Sequence, residues 1–235
     1  MKSAPAITIA SLTARYRLPP PASTQLEALA QFVADDHGAP TTVSDPDAIL
    51  ADHLADSLVA LELDCVRRAG AIADLGAGAG FPGLPLAIAL TRSRVALVEA
   101  NGRKCAFITA AAERCGARNA DAVHARAEEW PAGIGTCDLV TARALAPLAV
   151  VAEYAAPLLT LGGTLVAWRG RRDPHDEAAA ARAAADLGLE PGPPIRAMPY
   201  PGALHRHLHP MVKLAATPSR FPRRPGMARK RPLGV

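Results

Sequence analysis

Asp74, Gly76, Gly78 and Gly80 alternate through "DLGAGAG", directly after an apolar run that begins at Ala71. Glu99 closes the next apolar run, 23 residues beyond Gly76. Residue types in this order suit a nucleoside. Glycine removes the side chains that would hold a ligand off the main chain, and it turns tightly with positive φ. A carboxylate at the end of the second strand accepts hydrogen bonds from both hydroxyls of a ribose. Dinucleotides carry such a ribose and so do other nucleoside cofactors, so Glu99 does not choose among them. The dinucleotide pattern G-x-G-x-x-G fits at Gly76 and Gly78 but fails at its third glycine, where Phe81 stands.

Further along, Arg143 ends the apolar run "CDLVTAR". A guanidinium there can grip a carboxylate or phosphate with two donors, or pair with a neighbouring acid. Arg126 admits phosphate contact or simple exposure. Arg103 and Lys104 open a helix, where the macrodipole disfavours cations, and that placement points to RNA contact. His205, His207 and His209 alternate, as they would on one face of a strand, but no acid or cysteine joins them and Pro210 follows. We read a polar edge strand there and no metal site. His53 and Asp56 share one helical face, either as a structural hydrogen bond or as the frame of a cleft.

Positioning these residues requires strands that alternate with helices. "STQLEALAQFVADD" (23–36) and "SDPDAILADHLADSLVAL" (44–61) have helical apolar stripes and precede every strand-like run. From Ala71 onwards, "AIADLG", "RVALVEA", "ADAVHA", "CDLVTAR" and "GGTLVAWRG" read as strands separated by helical segments. "PIRAMPY" and "HRHLHPMVKL" add two more with no helix between them. The expectation is an α/β fold: a doubly wound, Rossmann-like, mostly parallel sheet of seven strands with antiparallel strands at one edge. Residues 1–22 read as a flexible leader, 23–62 as a helical extension, 63–216 as the main domain and 217–235 as a basic tail.

Half of the 235 residues are apolar and 20% are charged, an ordinary globular composition. The longest apolar stretch, 144–161, is broken by Glu153, Tyr154 and two prolines, which excludes a membrane span there. Ser, Thr and Pro interrupt the first 21 residues, so we read no export signal. Cys65, Cys105, Cys115 and Cys137 form no C-x-x-C pair, and reduced, mostly buried thiols suit the cytosol. Net charge is +4, but the last 19 residues hold Arg220, Arg223, Arg224, Arg229, Lys230 and Arg231 and no acid. Removing that +6 leaves the remaining 216 residues at −2. Such a segment serves either a polyanion such as nucleic acid or solubility as a solvated arm.

The spacing D-x-G-x-G-x-G resembles the first motif of S-adenosylmethionine-dependent methyltransferases. The longer stretch "DLGAGAGFPGLPLAIA" is similar to the glycine motif of the RsmG (GidB) family of bacterial 16S ribosomal RNA guanine-N7 methyltransferases. "HLADSL", "GRKCAFI", "ARAEEW", "TARALAPL", "LVAWRG", "RHL" and the tail match further family segments, so the resemblance runs from about Ser44 to the C-terminus. Three departures stand out: 35–43 lacks the family's tryptophan and N-L-T sequence, Ala77 replaces Ser or Thr, and Leu145 replaces an aromatic.

This resemblance implies a class I methyltransferase fold, S-adenosyl-L-methionine as cofactor and no metal. It also implies 16S ribosomal RNA in the 30S subunit as partner, in the cytoplasm, with the chain acting as a monomer. It places cofactor contacts at Gly76, Phe81, Ala127, Glu128 and Arg143, beside those read from the residues at Asp74, Gly78, Gly80 and Glu99. Arg103, Lys104, Arg126 and the six tail bases are the candidate RNA contacts. Guanine N7 offers a lone pair and no proton, so no general base is expected. Rival readings are a methyltransferase for a small molecule or protein, a non-catalytic RNA-binding protein with a vestigial pocket, and a NAD oxidoreductase disfavoured by Phe81.

Overall fold

The computed structural model describes residues 7–235. Its centre is an eight-stranded sheet: β1 (Ala71–Leu75), β2 (Arg94–Glu99), β3 (Ala120–His124), β4 (Cys137–Arg143), β5 (Leu159–Arg169), β6 (Leu189–Pro191), β7 (Ile195–Arg196) and β8 (His207–Lys213). The order is β3-β2-β1-β4-β5-β8-β6, with β7 also on β8. The first five strands run parallel. β8 runs antiparallel against β5, β6 and β7. The chain winds outward from β1 to β3, then returns to start β4 on the other side of β1. That reversal opens a crevice at the strand tips between β1 and β4, where such sheets bind ligands.

Successive side chains leave a strand on opposite faces, and the apolar runs feed two cores. Ile72, Leu139, Val166 and Trp168 enter one; Leu75, Val140, Ala142 and Leu165 enter the other. The first core is closed by α1 (Ile9–Tyr16), α2 (Ala22–Asp35), α6 (Gly83–Ala89) and α7 (Gly102–Cys115). The second is closed by α8 (Leu148–Ala155), α9 (Pro174–Leu187) and the short α10 (Met227–Lys230). Asn101 caps α7 through the N–H groups of Arg103 and Lys104, and Gly116 ends it with φ of 68°.

Several expectations need correction. The supposed leader carries α1, capped by a reciprocal Thr8–Ser11 pair; its first six residues lie outside the described residues. The helix expected at 44–61 is four joined pieces: α3 (Pro46–Ala48), a π-helical stretch Ile49–Ala55, α4 (Asp56–Leu58) and a 3-10 turn Val59–Glu62, followed by α5 (Asp64–Arg68). Seven strands become eight because Leu189–Pro191, just past the expected helix and assigned to no element from the sequence, forms β6, while "PIRAMPY" contributes only the two residues of β7. His205 stands outside β8 with φ of 54°, so the three histidines do not share a strand face. No group of three His, Cys, Asp or Glu side chains suited to a metal exists among the described residues. The tail is packed, not free: Phe221 and Ala228 are buried and Leu233 lies against the second core.

Candidate cofactor site

The glycine loop is held from below by the acid that precedes it. Asp74 is fully buried, and its carboxyl bonds the Gly83 N–H at 2.9 Å and the Thr141 hydroxyl at 2.9 Å. Burial pushes its pKa up to about 7, against the opposing pull of those two hydrogen bonds. Gly76, Gly78 and Gly80 have φ of 66°, 58° and 91°, a region that costs other residues roughly 1–2 kcal/mol each. Space is the second constraint. A Cβ at Gly76 would stand 2.5 Å from Leu145 Cδ1, whereas one at Gly78 would meet open space apart from Gly76 O at 3.8 Å.

Above the loop lies a cavity of about 410 Å³ formed by four strand tips, within the size range of small-molecule sites. Leu75 and Gly76 come from β1, Val98 to Ala100 from β2, Ala125 to Glu128 from the turn after β3, and Ala144 with Leu145 from the turn after β4. Lys104, Tyr154 and Arg229 complete the wall. Glu99 projects at the end of β2, where its two oxygens accept the N–H groups of Gly78 at 3.1 Å and Asn101 at 2.9 Å. Each oxygen retains a further lone pair. Apolar walls (Val98, Ala125, Ala127, Leu145) and the Glu99 carboxylate match the two halves of a nucleoside, a flat base and a diol. Ala144 turns the chain with φ of 53°, a strained value for a residue with a Cβ.

Not every predicted residue reaches this cavity. Gly76, Glu99, Ala127 and Glu128 line it; Asp74, Gly78, Gly80, Phe81 and Arg143 do not. Phe81 is buried and stacks on the His53 ring at a centroid distance of 4.4 Å. Arg143 forms the ion pair that sequence reasoning had weighed beside ligand contact. Its Nη1 donates to Asp56 Oδ2 at 3.0 Å and to Asp52 O at 2.8 Å, and its Nη2 to His53 Nδ1 at 3.2 Å. Arginine cannot accept, so His53 Nδ1 is bare and Nε2 carries the proton toward Thr41 Oγ1 at 2.8 Å. Burial, then the Arg143 charge, holds the His53 pKa down near about 4. Asp56 is pushed upward by burial, and Arg206 Nε approaches its other oxygen at 3.4 Å. His53 and Asp56 therefore meet through Arg143 and anchor the tip of β4.

Of the predicted RNA contacts, Arg103, Arg126, Arg220, Arg224, Lys230 and Arg231 are exposed. Arg126 lies 3.8 Å from Glu129, while Arg223 is bound to Glu153. Lys104, Arg126 and Arg229, RNA candidates on sequence grounds, all line the cavity, the two arginines with exposed side chains. Sequence reasoning missed Ala144, Leu145 and Tyr154. The first two follow Arg143 directly, and their position just past a strand end was the available signal.

Comparison with known proteins decides the family. Residues 26–190 match the family model described as GidB, rRNA small subunit methyltransferase G. The chain belongs to this family. Ribosomal RNA small subunit methyltransferase G of Rubrobacter xylanophilus is 39% identical over 195 residues, covering 80% of this chain and 75% of that protein. The Chloroflexus aggregans protein of the same name is 42% identical over 197 residues, covering 82% of each. Among solved structures, a SAM dependent methyltransferase from Aquifex aeolicus matches 72% of this chain and 94% of its own with a TM-score of 0.55 at 17% identity. Aeropyrum pernix fibrillarin in complex with natively bound S-adenosyl-L-methionine matches 67% of this chain and 73% of its own with a TM-score of 0.53 at 19% identity. These structures share the class I methyltransferase fold. In this GidB family member, H-x-x-D-S is explained by contacts: His53 and Asp56 hold Arg143, and the Ser57 hydroxyl donates to His53 O at 2.5 Å.

Proposed function

We propose that this chain transfers the methyl group of S-adenosyl-L-methionine to N7 of a guanine in 16S ribosomal RNA of the small subunit. The observation that carries this reading is the cavity at the β1/β4 crevice, with Gly76 main chain on one side and Glu99 on the other, in a member of the GidB family. The residues present fit the cofactor. Glu99 would accept the ribose hydroxyls, Val98, Ala125 and Ala127 would pack on the adenine, and Gly76 would admit the amino-acid end. When bound, S-adenosylmethionine supplies a methyl group activated by a positively charged sulfur.

The chain's own residues then bind, align and dry the site. N7 is already a nucleophile, so the work left to the protein is orientation and exclusion of water. Arg143 serves by position: tied to Asp56 and His53, it fixes the β4 tip that presents Ala144 and Leu145 to the cavity. Arg103, Arg126 and the exposed tail bases supply cations for RNA phosphates. The reading places the chain with its substrate in the cytoplasm.

The test is incubation of the purified chain with labelled S-adenosylmethionine and 30S subunits that lack the modification. Label at a guanine N7 of 16S RNA is expected; label elsewhere, or none, rejects the reading. Glu99→Gln is expected to weaken cofactor binding by about 10- to 100-fold, the worth of about 1.5–3 kcal/mol for hydrogen bonds to a charged group. Calorimetry with S-adenosylhomocysteine checks it.

A further inference from the structure

Charge alone reads residues 217–235 as an arm, for a polyanion or for solubility, yet the structure uses several of them inward. Glu153 lies on α8, a helix buried along its whole length, and is itself only 3% exposed. A carboxylate so placed is costly unless it is paired. Its partner comes from the tail: Arg223 Nε and Nη2 donate to the two Glu153 oxygens at 2.6 and 2.5 Å. The same Nη2 also donates to Arg231 O at 2.8 Å, which curls the segment between them. Phe221 and Ala228 bury on either side of the pair.

Past this clasp the segment reaches the cavity. Gly226, with φ of 80°, donates its N–H to Glu128 Oε1 at 3.0 Å. Arg229 Nη2 donates to Leu145 O at 2.8 Å, and its side chain forms part of the cavity wall beside Glu128 and Tyr154. Glu128 belongs to the turn after β3 and Leu145 to the turn after β4. The tail therefore links two strand tips that no other described hydrogen bond joins.

We propose that the C-terminal segment is a strap that completes the cofactor pocket. The Glu153–Arg223 clasp holds it, Gly226 fixes Glu128, and Arg229 forms part of the wall against which the nucleoside packs. Arg223 is a positioning residue and Arg229 a pocket residue. The proposal rests on the cofactor reading above and adds to it a structural source of cofactor affinity that lies outside the strand–turn–helix motif.

The experiment measures S-adenosylhomocysteine affinity by calorimetry on the full-length chain and on Arg223→Ala, Arg223→Lys, Arg229→Ala and the double alanine variant. Each alanine variant is expected to bind about 5- to 20-fold more weakly, the effect of losing one or two charge-assisted hydrogen bonds. Because both act through one strap, the double variant is expected to be no weaker than the weaker single one. Arg223→Lys, which keeps the charge but not the paired geometry, should recover part of the loss. Arg229 is exposed, so its substitution keeps the test decisive even if Arg223→Ala fails to fold. Affinity within twofold of the unaltered chain in Arg229→Ala overturns the strap and returns the tail to a simple RNA arm. Failure of the unaltered chain to bind S-adenosylhomocysteine overturns the cofactor reading, and the strap with it.

Discussion

Asp74 bonds the Gly83 N–H and His53 stacks on Phe81, and their titrations oppose each other. Burial raises Asp74 to about 7 in the folded chain. A raised carboxyl binds more protons folded than unfolded from about pH 4 to 7, so its stabilising effect is lost as pH rises through that window. His53 is lowered to about 4. It stabilises the fold above about pH 6.5 and that contribution disappears as pH falls toward about 4. Denaturant midpoints measured between pH 4 and 7 are therefore expected to respond oppositely to the two substitutions. Asp74→Asn, whose amide can donate to the Thr141 hydroxyl while its oxygen accepts from Gly83, should remove the loss on the alkaline side. His53→Gln should remove the loss on the acid side. The glycines separate in the same manner. Gly76→Ala meets both a positive φ and Leu145, so loss of cofactor binding is expected, whereas Gly78→Ala faces only backbone strain of roughly 1–2 kcal/mol. Calorimetry and thermal melting distinguish the two.

At the scale of elements, the irregular helical stretch 46–62 is tied to the strand tips. Arg143 reaches Asp52 O and the Asp56 carboxylate, while the Trp168 indole donates to Asp56 O at 2.7 Å. Removing one partner of a buried pair strands the other, so Asp56→Ala is expected to destabilise the chain by about 3–5 kcal/mol, read from urea unfolding. The periodicity of 44–61 shows apolar residues on one side and so reads as one helix. What the periodicity does not carry is the tie of Asp52 and Asp56 to Arg143 on β4 and Trp168 on β5, partners far away in sequence. The strands were legible for the opposite reason. β1, β2, β4 and β5 are buried on both faces and appear as continuous apolar runs, while β6 and β7, at three and two residues, are too short to carry a period. The candidate site was legible where main-chain freedom or strand-end position marks it, at Gly76 and Glu99. It was illegible at Phe81 and Arg143, because a motif shows that such residues are needed and not which way their side chains point.

The whole molecule presents a near-neutral body with exposed cations in the tail and beside the tips of β2 and β3. If Arg224, Lys230 and Arg231 meet RNA phosphates, replacing all three by Gln should lower the slope of log affinity against log salt by about 2–3, since each phosphate contact contributes about 0.7–0.9. Filter binding to 16S RNA across salt concentrations reads this directly, and an unchanged slope would place the RNA elsewhere. A signal for the tail's inward role was in fact present: Glu153 is the one charged residue in the apolar run 144–161. Its counter-charge lies 70 residues further along the chain. The buried charge of α8 is thus balanced only once Arg223 has been made. A polypeptide cut short ahead of Arg223 would carry every strand of the sheet yet leave the Glu153 carboxylate orphaned in its interior.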